Sequence, residues 1–274
     1  MRGINGSLQW LVTNTRIDLA ARVSLSASAT ANPTVADLQN AHKLLRQAQR
    51  ETDLPIHIHS INLDRLIFGS FEDAAWAVRP DGSSQGGYLI FAADRDMMYG
   101  KDVHVSCLDW KSWKLKRKVR SSLAAESQSM ADSVDSLNFI RLFCAEFFSP
   151  RGIDLRRPEE ILRLTPNAMV VTDCKSLYDA LEKNESCGLG LTDKRTSIEV
   201  DATRQQMQST GIDTKWVNSD RQLADVLTKP QVNTSSIIQL QHKGRWKIVW
   251  DSQFVSAKKL RAKYRDEHLS LIHI

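Results

Sequence analysis

Cysteine is scarce in this chain, and none of it is arranged for chemistry. Cys107, Cys144, Cys174 and Cys187 form no C-x-x-C pair and share no regular spacing. That excludes the common zinc modules and gives no disulfide framework for a chain of 274 residues. Reduced, buried or bystander thiols are the expectation, and with them an intracellular setting. Long apolar runs are missing as well. None approaches the ~20 residues that a membrane-spanning helix needs. The N-terminus carries no basic segment followed by an apolar core, so no secretory signal is expected. Internal repeats and low-complexity linkers are also absent from the sequence.

What is present is ordinary in bulk. The chain is 42% hydrophobic and 25% charged, with a formal net charge of +5. This is a globular composition with room for one large domain or two smaller ones. A mild positive charge suits a polyanionic partner without requiring one.

Periodicity orders the chain. Residues 8–25 have helical spacing, Pro33 interrupts, and Thr34 is placed to cap a second helix over 35–50. Strands are expected over 66–78, 87–91 and 103–113, the first two joined through the turn chemistry of Pro80-Asp81-Gly82-Ser83. A long helix over 122–148 follows, with the stripe Leu123, Met130, Val134, Leu137, Ile140, Cys144 and Phe147. A short strand over 169–171 reads as buried on both faces. Helices over 176–183 and 192–210, a strand over 213–217 and a helix over 221–228 complete this part. Such an order implies an α/β protein with a mixed sheet flanked by helices. Beyond it, 246–250 reads as a strand and 258–265 as a basic helix.

Four acids stand out: Asp73, Glu126, Asp173 and Asp225. Glu126 lies three residues after Leu123 and four before Met130, on the apolar stripe of its helix. A carboxylate aimed at a core is costly unless a metal or partner compensates. Gln128 lies on another face. Asp173 ends the buried strand, where it serves either chemistry or the N-cap of the next helix. Asp73 has the alternative of a solvated strand-end acid, and Asp225 that of a surface helical acid. If all four converge, they repel one another, and a pair of divalent cations is the usual reason to assemble them.

The acids sit in four motifs: Asp73-Ala74-Ala75-Trp76 with Ser83-Ser84-Gln85-Gly86-Gly87-Tyr88; Ser121-Ser122-Leu123-Ala124-Ala125-Glu126; Thr172-Asp173-Cys174-Lys175-Ser176; and Gln222-Leu223-Ala224-Asp225-Val226-Leu227-Thr228-Lys229. In these the chain resembles the ribonuclease H domain of copia-type retrotransposon polyproteins, the last motif being the most specific. Gly6-Ser7-Leu8-Gln9-Trp10-Leu11, Thr15-Arg16-Ile17-Asp18 and Asn32-Pro33-Thr34 resemble the segment that joins reverse transcriptase to that domain. The resemblance covers roughly residues 3–230 and implies a ribonuclease H-like five-stranded mixed sheet over 64–230. A helical connection over 1–60 would follow a reverse transcriptase that is not in this chain. Residues 231–268 would be a basic extension, and 269–274 read as a sequencing-adapter scar. A genomic reading frame that continues through those last codons would refute the scar.

The resemblance also implies an activity: metal-dependent endonucleolytic hydrolysis of the RNA strand of RNA–DNA hybrids during reverse transcription. Two Mg²⁺ or Mn²⁺ ions would be held about 4 Å apart. Asp73 would bridge them, with Glu126 and Asp173 on one side and Asp225 on the other. Hard oxygen ligands without Cys/His clusters suit these ions rather than zinc. The implied partners are the hybrid and the reverse transcriptase portion of the same polyprotein, within a cytoplasmic retrotransposon particle and not a membrane. Three departures from the family stand in the sequence. Gln128 occupies a position where the family has a second acid. Thr196-Ser197 stand before Ile198-Glu199 where the family often has Lys-His. No Tyr-x-Asp-Asp motif and no zinc knuckle occur. A catalytically inactive relic that still binds nucleic acid or polymerase is the alternative. An unrelated α/β nuclease or resolvase would share the acids but not the motif over 222–229.

Grip on a polyanion needs cations. Lys111, Lys114, Lys116, Arg117, Lys118 and Arg120 cluster before the long helix, with Trp110 and Trp113 among them. They suit backbone contacts to nucleic acid, a solvated hairpin being the bland alternative. Lys258, Lys259, Arg261, Lys263 and Arg265 form a weaker second candidate. Trp10, Trp216, Trp246 and Trp250 are expected in core or interface packing.

Overall fold

The computed structural model describes residues 1–149, 152–182 and 193–249. Three helices come first: α1 (Arg2–Asn14), α2 (Ala20–Ser28) and α3 (Val35–Arg50). A meander follows, of β1 (Leu66–Ala75), β2 (Gln85–Asp94) and β3 (Val103–Lys114), and then the long α4 (Ser122–Phe148). Next come α5 (Pro158–Leu164), β4 (Ala168–Thr172), α6 (Lys175–Glu182), α7 (Lys194–Thr210) and β5 (Ile212–Trp216). The one-turn α8 (Asp225–Thr228), α9 (Ser235–Lys243) and β6 (Arg245–Trp246) close the described chain.

The sheet runs in the order β5-β4-β1-β2-β3-β6. β1, β2 and β3 are antiparallel neighbours, while β4 and β5 run parallel to β1. This is the ribonuclease H-like mixed α/β sheet, its five expected strands extended by β6 on the edge of β3. β4 is buried at every residue, as an inner parallel strand covered on both faces should be.

β1 lies in the middle of the sheet and alternates between two cores. Phe68 faces the core that contains Met130, Val134 and Leu137 of α4. The Ser70 and Ser133 hydroxyls meet there at 2.7 Å, and Glu72 follows on the same face. Ile67 and Phe71 face the opposite core, with Leu8, Val12, Ile17, Val23 and Leu44 from the N-terminal helices and Leu227 from α8. Asp73 is next on that face.

Several expectations need correction. The helical spacing over 8–25 is interrupted at Thr15. The cause is Arg16, whose buried guanidinium pairs with Asp18 and donates to the carbonyls of Ala48 and Glu51 at 3.1 and 2.7 Å. The helix expected over 221–228 is a 3-10 turn (Ser219–Arg221) and then α8. Between them the Gln222 side chain accepts from the Ala224 N–H and donates to the Glu72 carbonyl, competing with helical hydrogen bonds. The strand expected to 78 stops at Ala75, where Ala77 takes a positive φ of 54°. The strand expected over 246–250 pairs only at Arg245–Trp246.

Trp216 and Trp246 are buried, but Trp10 is 66% exposed and packs in no core. Phe147 likewise leaves the stripe for solvent at 80% exposure, because α4 runs past the sheet. The basic helix over 258–265, Trp250 and the segment 269–274 lie outside the described residues.

Candidate active site

Two strand ends and one helical turn build the site. Val171 pairs with Phe71 across the parallel β1–β4 ladder. Two residues further along each strand, Asp73 and Asp173 come to the same level. Asp225 opens α8, which lies over β2. That approach needs Gly87, the residue paired with Asp73. A Cβ at Gly87 would stand 2.6 Å from Leu227 Cβ and 2.8 Å from Thr228 Cγ2.

Carboxylate oxygens of Asp73, Asp173 and Asp225 consequently lie within 4.8 Å of one another. Asp73 is almost wholly buried, Asp225 nearly so, and Asp173 opens towards solvent. Thr228 Oγ1 donates to Asp73 Oδ2. Lys229 Nζ donates to Asp225 Oδ1 at 2.6 Å and to Asp73 Oδ1 at 3.2 Å. Ser219 Oγ donates to Asp173 Oδ2 at 2.5 Å.

Glu126 is set beside these three rather than among them. It is 7% exposed, and its Oε2 has no hydrogen-bond partner. Burial raises its pKa well above the usual range, and the negative charges of Asp73 and Glu72 add to the shift. Glu72 was not singled out in the sequence. It is fully buried, with Ser129 and Thr172 as polar neighbours, yet neither oxygen meets hydrogen-bond geometry. Burial raises its pKa as well, and Asp73 and Asp173 push the same way. The available signal was an acid next to Asp73 in a strand whose flanking residues are all apolar or small.

Burial and Asp173 raise Asp73, against the pull of Lys229. Asp225 is pushed up to about 7 by burial and by Asp73, again against Lys229. Crowded carboxylates that resist ionisation, with orphaned oxygens beside them, are what a hard divalent cation satisfies. The residues therefore fit such an ion.

Gln128 faces away from the acids. It is buried against Arg117, which donates to its Oε1 at 3.4 Å. The six expected cations divide. Arg117, Lys118 and Arg120 line a cleft of about 460 Å³ at the start of α4, opposite Lys194 and Arg195 of α7. Lys194 and Arg195 form no basic run in the sequence, because Asp193, Glu199 and Asp201 offset their charge locally. Lys111, Lys114 and Lys116 are exposed outside that cleft, Lys114 being paired with Asp81 and Lys111 lying over the Trp113 ring.

A mixed sheet with buried acids gathered around its central strand is what the fold and the site present. No protein-family model matches the chain. It is 28% identical over 235 residues to the retrovirus-related Pol polyprotein from transposon RE1 of Arabidopsis thaliana, covering 85% of this chain and 14% of that one. The counterpart from transposon RE2 is 28% identical over 230 residues, covering 84% of this chain and 14% of that one. The chain is thus a relative of retrovirus-related Pol polyproteins from transposons and spans about 14% of their length.

Two solved structures are loosely similar. The foamy viral protease-reverse transcriptase in complex with RNA/DNA hybrid gives a TM-score of 0.36 at 11% identity, over 70% of this chain and 26% of that one. The solution structure of the PFV RNase H domain gives 0.31 at 15% identity, over 61% of this chain and 93% of that one.

Proposed function

We propose that this chain is a nuclease that hydrolyses the RNA strand of RNA–DNA hybrids for a retrotransposon, beside the reverse transcriptase portion of the same polyprotein. The observation that carries this reading is the approach of Asp73, Asp173 and Asp225 within 4.8 Å on one side of the central strand. Asp73 would bridge two ions, Asp173 and Glu126 would hold one side and Asp225 the other. Mg²⁺ or Mn²⁺, when bound, would supply an ionised water and charge for the leaving 3′ oxygen. The protein's part is positional. The β1–β4 ladder fixes Asp73 against Asp173, and Thr228 holds one Asp73 oxygen in place. Ser219 orients Asp173 at the solvent side, where a scissile phosphate can enter. Arg117, Lys118 and Arg120, with Lys194 and Arg195, would take the nucleic-acid backbone along the cleft.

The test is cleavage of a labelled hybrid by the full chain. Cutting should require Mg²⁺ or Mn²⁺, stop in chelator and fall by orders of magnitude in Asp73→Asn. Activity that persists in chelator sinks the proposal. Wild type and Asp73→Asn that are equally inert, yet bind hybrid with a steep salt dependence, make the chain a binding relic instead.

A further inference from the structure

The cation nearest the acids belongs to the chain itself. Lys229 follows the last residue of α8, and its N–H donates to the Asp225 carbonyl at 2.9 Å. That spacing of four residues puts its side chain on the same side as Asp225. Nζ reaches Oδ1 of Asp225 at 2.6 Å and Oδ1 of Asp73 at 3.2 Å. Among the described residues no other Lys or Arg is ion-paired with Asp73, Asp173 or Asp225. The arrangement is one-sided. Asp225 and Asp73 share the ammonium, while Asp173 is met by the neutral hydroxyl of Ser219.

We propose that Lys229 is a tethered counter-cation that occupies the seat between Asp73 and Asp225, and that a divalent ion enters that seat only when Lys229 swings out. This rests on the metal reading given above. An ammonium so close to both oxygens and a divalent ion on the same oxygens repel each other strongly in a site this buried. The Asp73 side chain is 2% exposed, whereas that of Lys229 is 38% exposed. The acid therefore stays and the lysine, on a flexible four-carbon stem, moves into solvent. Two consequences follow. The acids are held together before any ion arrives. The two ion seats are unequal: the one between Asp73 and Asp173 fills first, and the one between Asp73 and Asp225 fills only at higher ion concentration.

Mn²⁺ titration followed by electron paramagnetic resonance reads this on the full chain without any substrate. Wild type should show two classes of ion, the second at least tenfold weaker. In Lys229→Met, which keeps the stem and removes the charge, the weak class should tighten at least tenfold. Lys229→Arg should leave it weak. A second measurement needs no variant. Acetylation of Lys229 by a small anhydride, scored by mass spectrometry against exposed Lys111, should be slow in chelator and rise at least fivefold at saturating Mn²⁺. Two equal classes in wild type, a weak class unchanged in Lys229→Met, or acetylation indifferent to Mn²⁺ overturns the displacement and leaves the metal reading standing. Binding of Mn²⁺ by neither wild type nor Lys229→Met overturns both.

Discussion

Asp225 titrates near neutrality, pushed up to about 7 by burial and Asp73 against the pull of Lys229. Asp73, Glu126 and Glu72 are raised too, in each case first by burial. Unfolded carboxyls lose their protons near pH 4. From about pH 4 up to about 7 the folded chain therefore keeps protons that the unfolded chain has lost, and stability falls as pH rises. Each tenfold change in proton affinity is worth about 1.4 kcal/mol. In chelator the melting temperature should be several degrees higher at pH 5.5 than at pH 8. A divalent ion at pH 8 should restore much of the difference. A melting temperature that is flat or rises over that range in chelator would contradict the burial of these acids.

At the same scale, Gln128 tests which face of α4 matters. Its amide is engaged by Arg117, not by the acids. Gln128→Glu should then gain an ion pair with Arg117 and leave Mn²⁺ affinity within about twofold, since Arg117 offsets the added charge on the side turned away from the acids. A large gain in Mn²⁺ affinity would place residue 128 in the site after all. Glu126 and Gln128 were separable in the sequence because the stripe Leu123–Met130 fixes one face of a helix. Glu72 was not, because a strand residue shows its burial only when both covering layers are known. Lys229 was visible in its motif, but its bond to Asp73 spans 156 positions of sequence and follows from the fold alone.

Among the elements, the most regular were the most legible. α3 has its capping box at Thr34 and Asp37, and α4 has Ser121 as N-cap. Both begin where the side-chain chemistry says they should. The illegible elements are those set by tertiary bonds, namely the break at Arg16 and the turn at Gln222. α8 belongs with them, since a single helical turn is not stable alone. It depends on the room left by Gly87. In Gly87→Ala the new methyl meets Leu227 and Thr228, and overpacking of this kind costs about 1–3 kcal/mol. The variant should fold with a lower melting temperature, and Mn²⁺ should bind more weakly because Asp225 is carried away from Asp73. Unchanged Mn²⁺ affinity alongside a lowered melting temperature would show that α8 shifts without taking Asp225 with it.

For the molecule as a whole, the question is whether the first sixty residues are a connection or part of the domain. The sequence suggests a connection, because the stretches Gly6–Leu11, Thr15–Asp18 and Asn32–Thr34 resemble the segment that joins reverse transcriptase to the ribonuclease H domain. The packing gives those residues a further role. Leu8, Val12, Ile17, Leu19, Val23 and Leu44 are buried in the same core as Phe71, Leu89 and Phe91 of the sheet. Trp110 of β3 donates to the Val12 carbonyl at 2.7 Å, and Gln241 of α9 donates to the Thr15 carbonyl at 2.9 Å. Arg79 and Gln85 both donate to Ser24 Oγ of α2. Full burial of one such aliphatic side chain is worth about 1.5–3 kcal/mol. Six of them rival the roughly 5–15 kcal/mol that holds an ordinary domain together. Removal would also bare the inner face of β1 and β2, on which α8 and Asp225 depend. A fragment of residues 61–249 should therefore bind a hydrophobic dye, lose cooperative unfolding and fail to bind Mn²⁺ tightly, while the full chain melts in one transition. Calorimetry of the two side by side decides it. A fragment that melts cooperatively within a few degrees of the full chain would make the N-terminal helices a separate connection and the sheet self-sufficient.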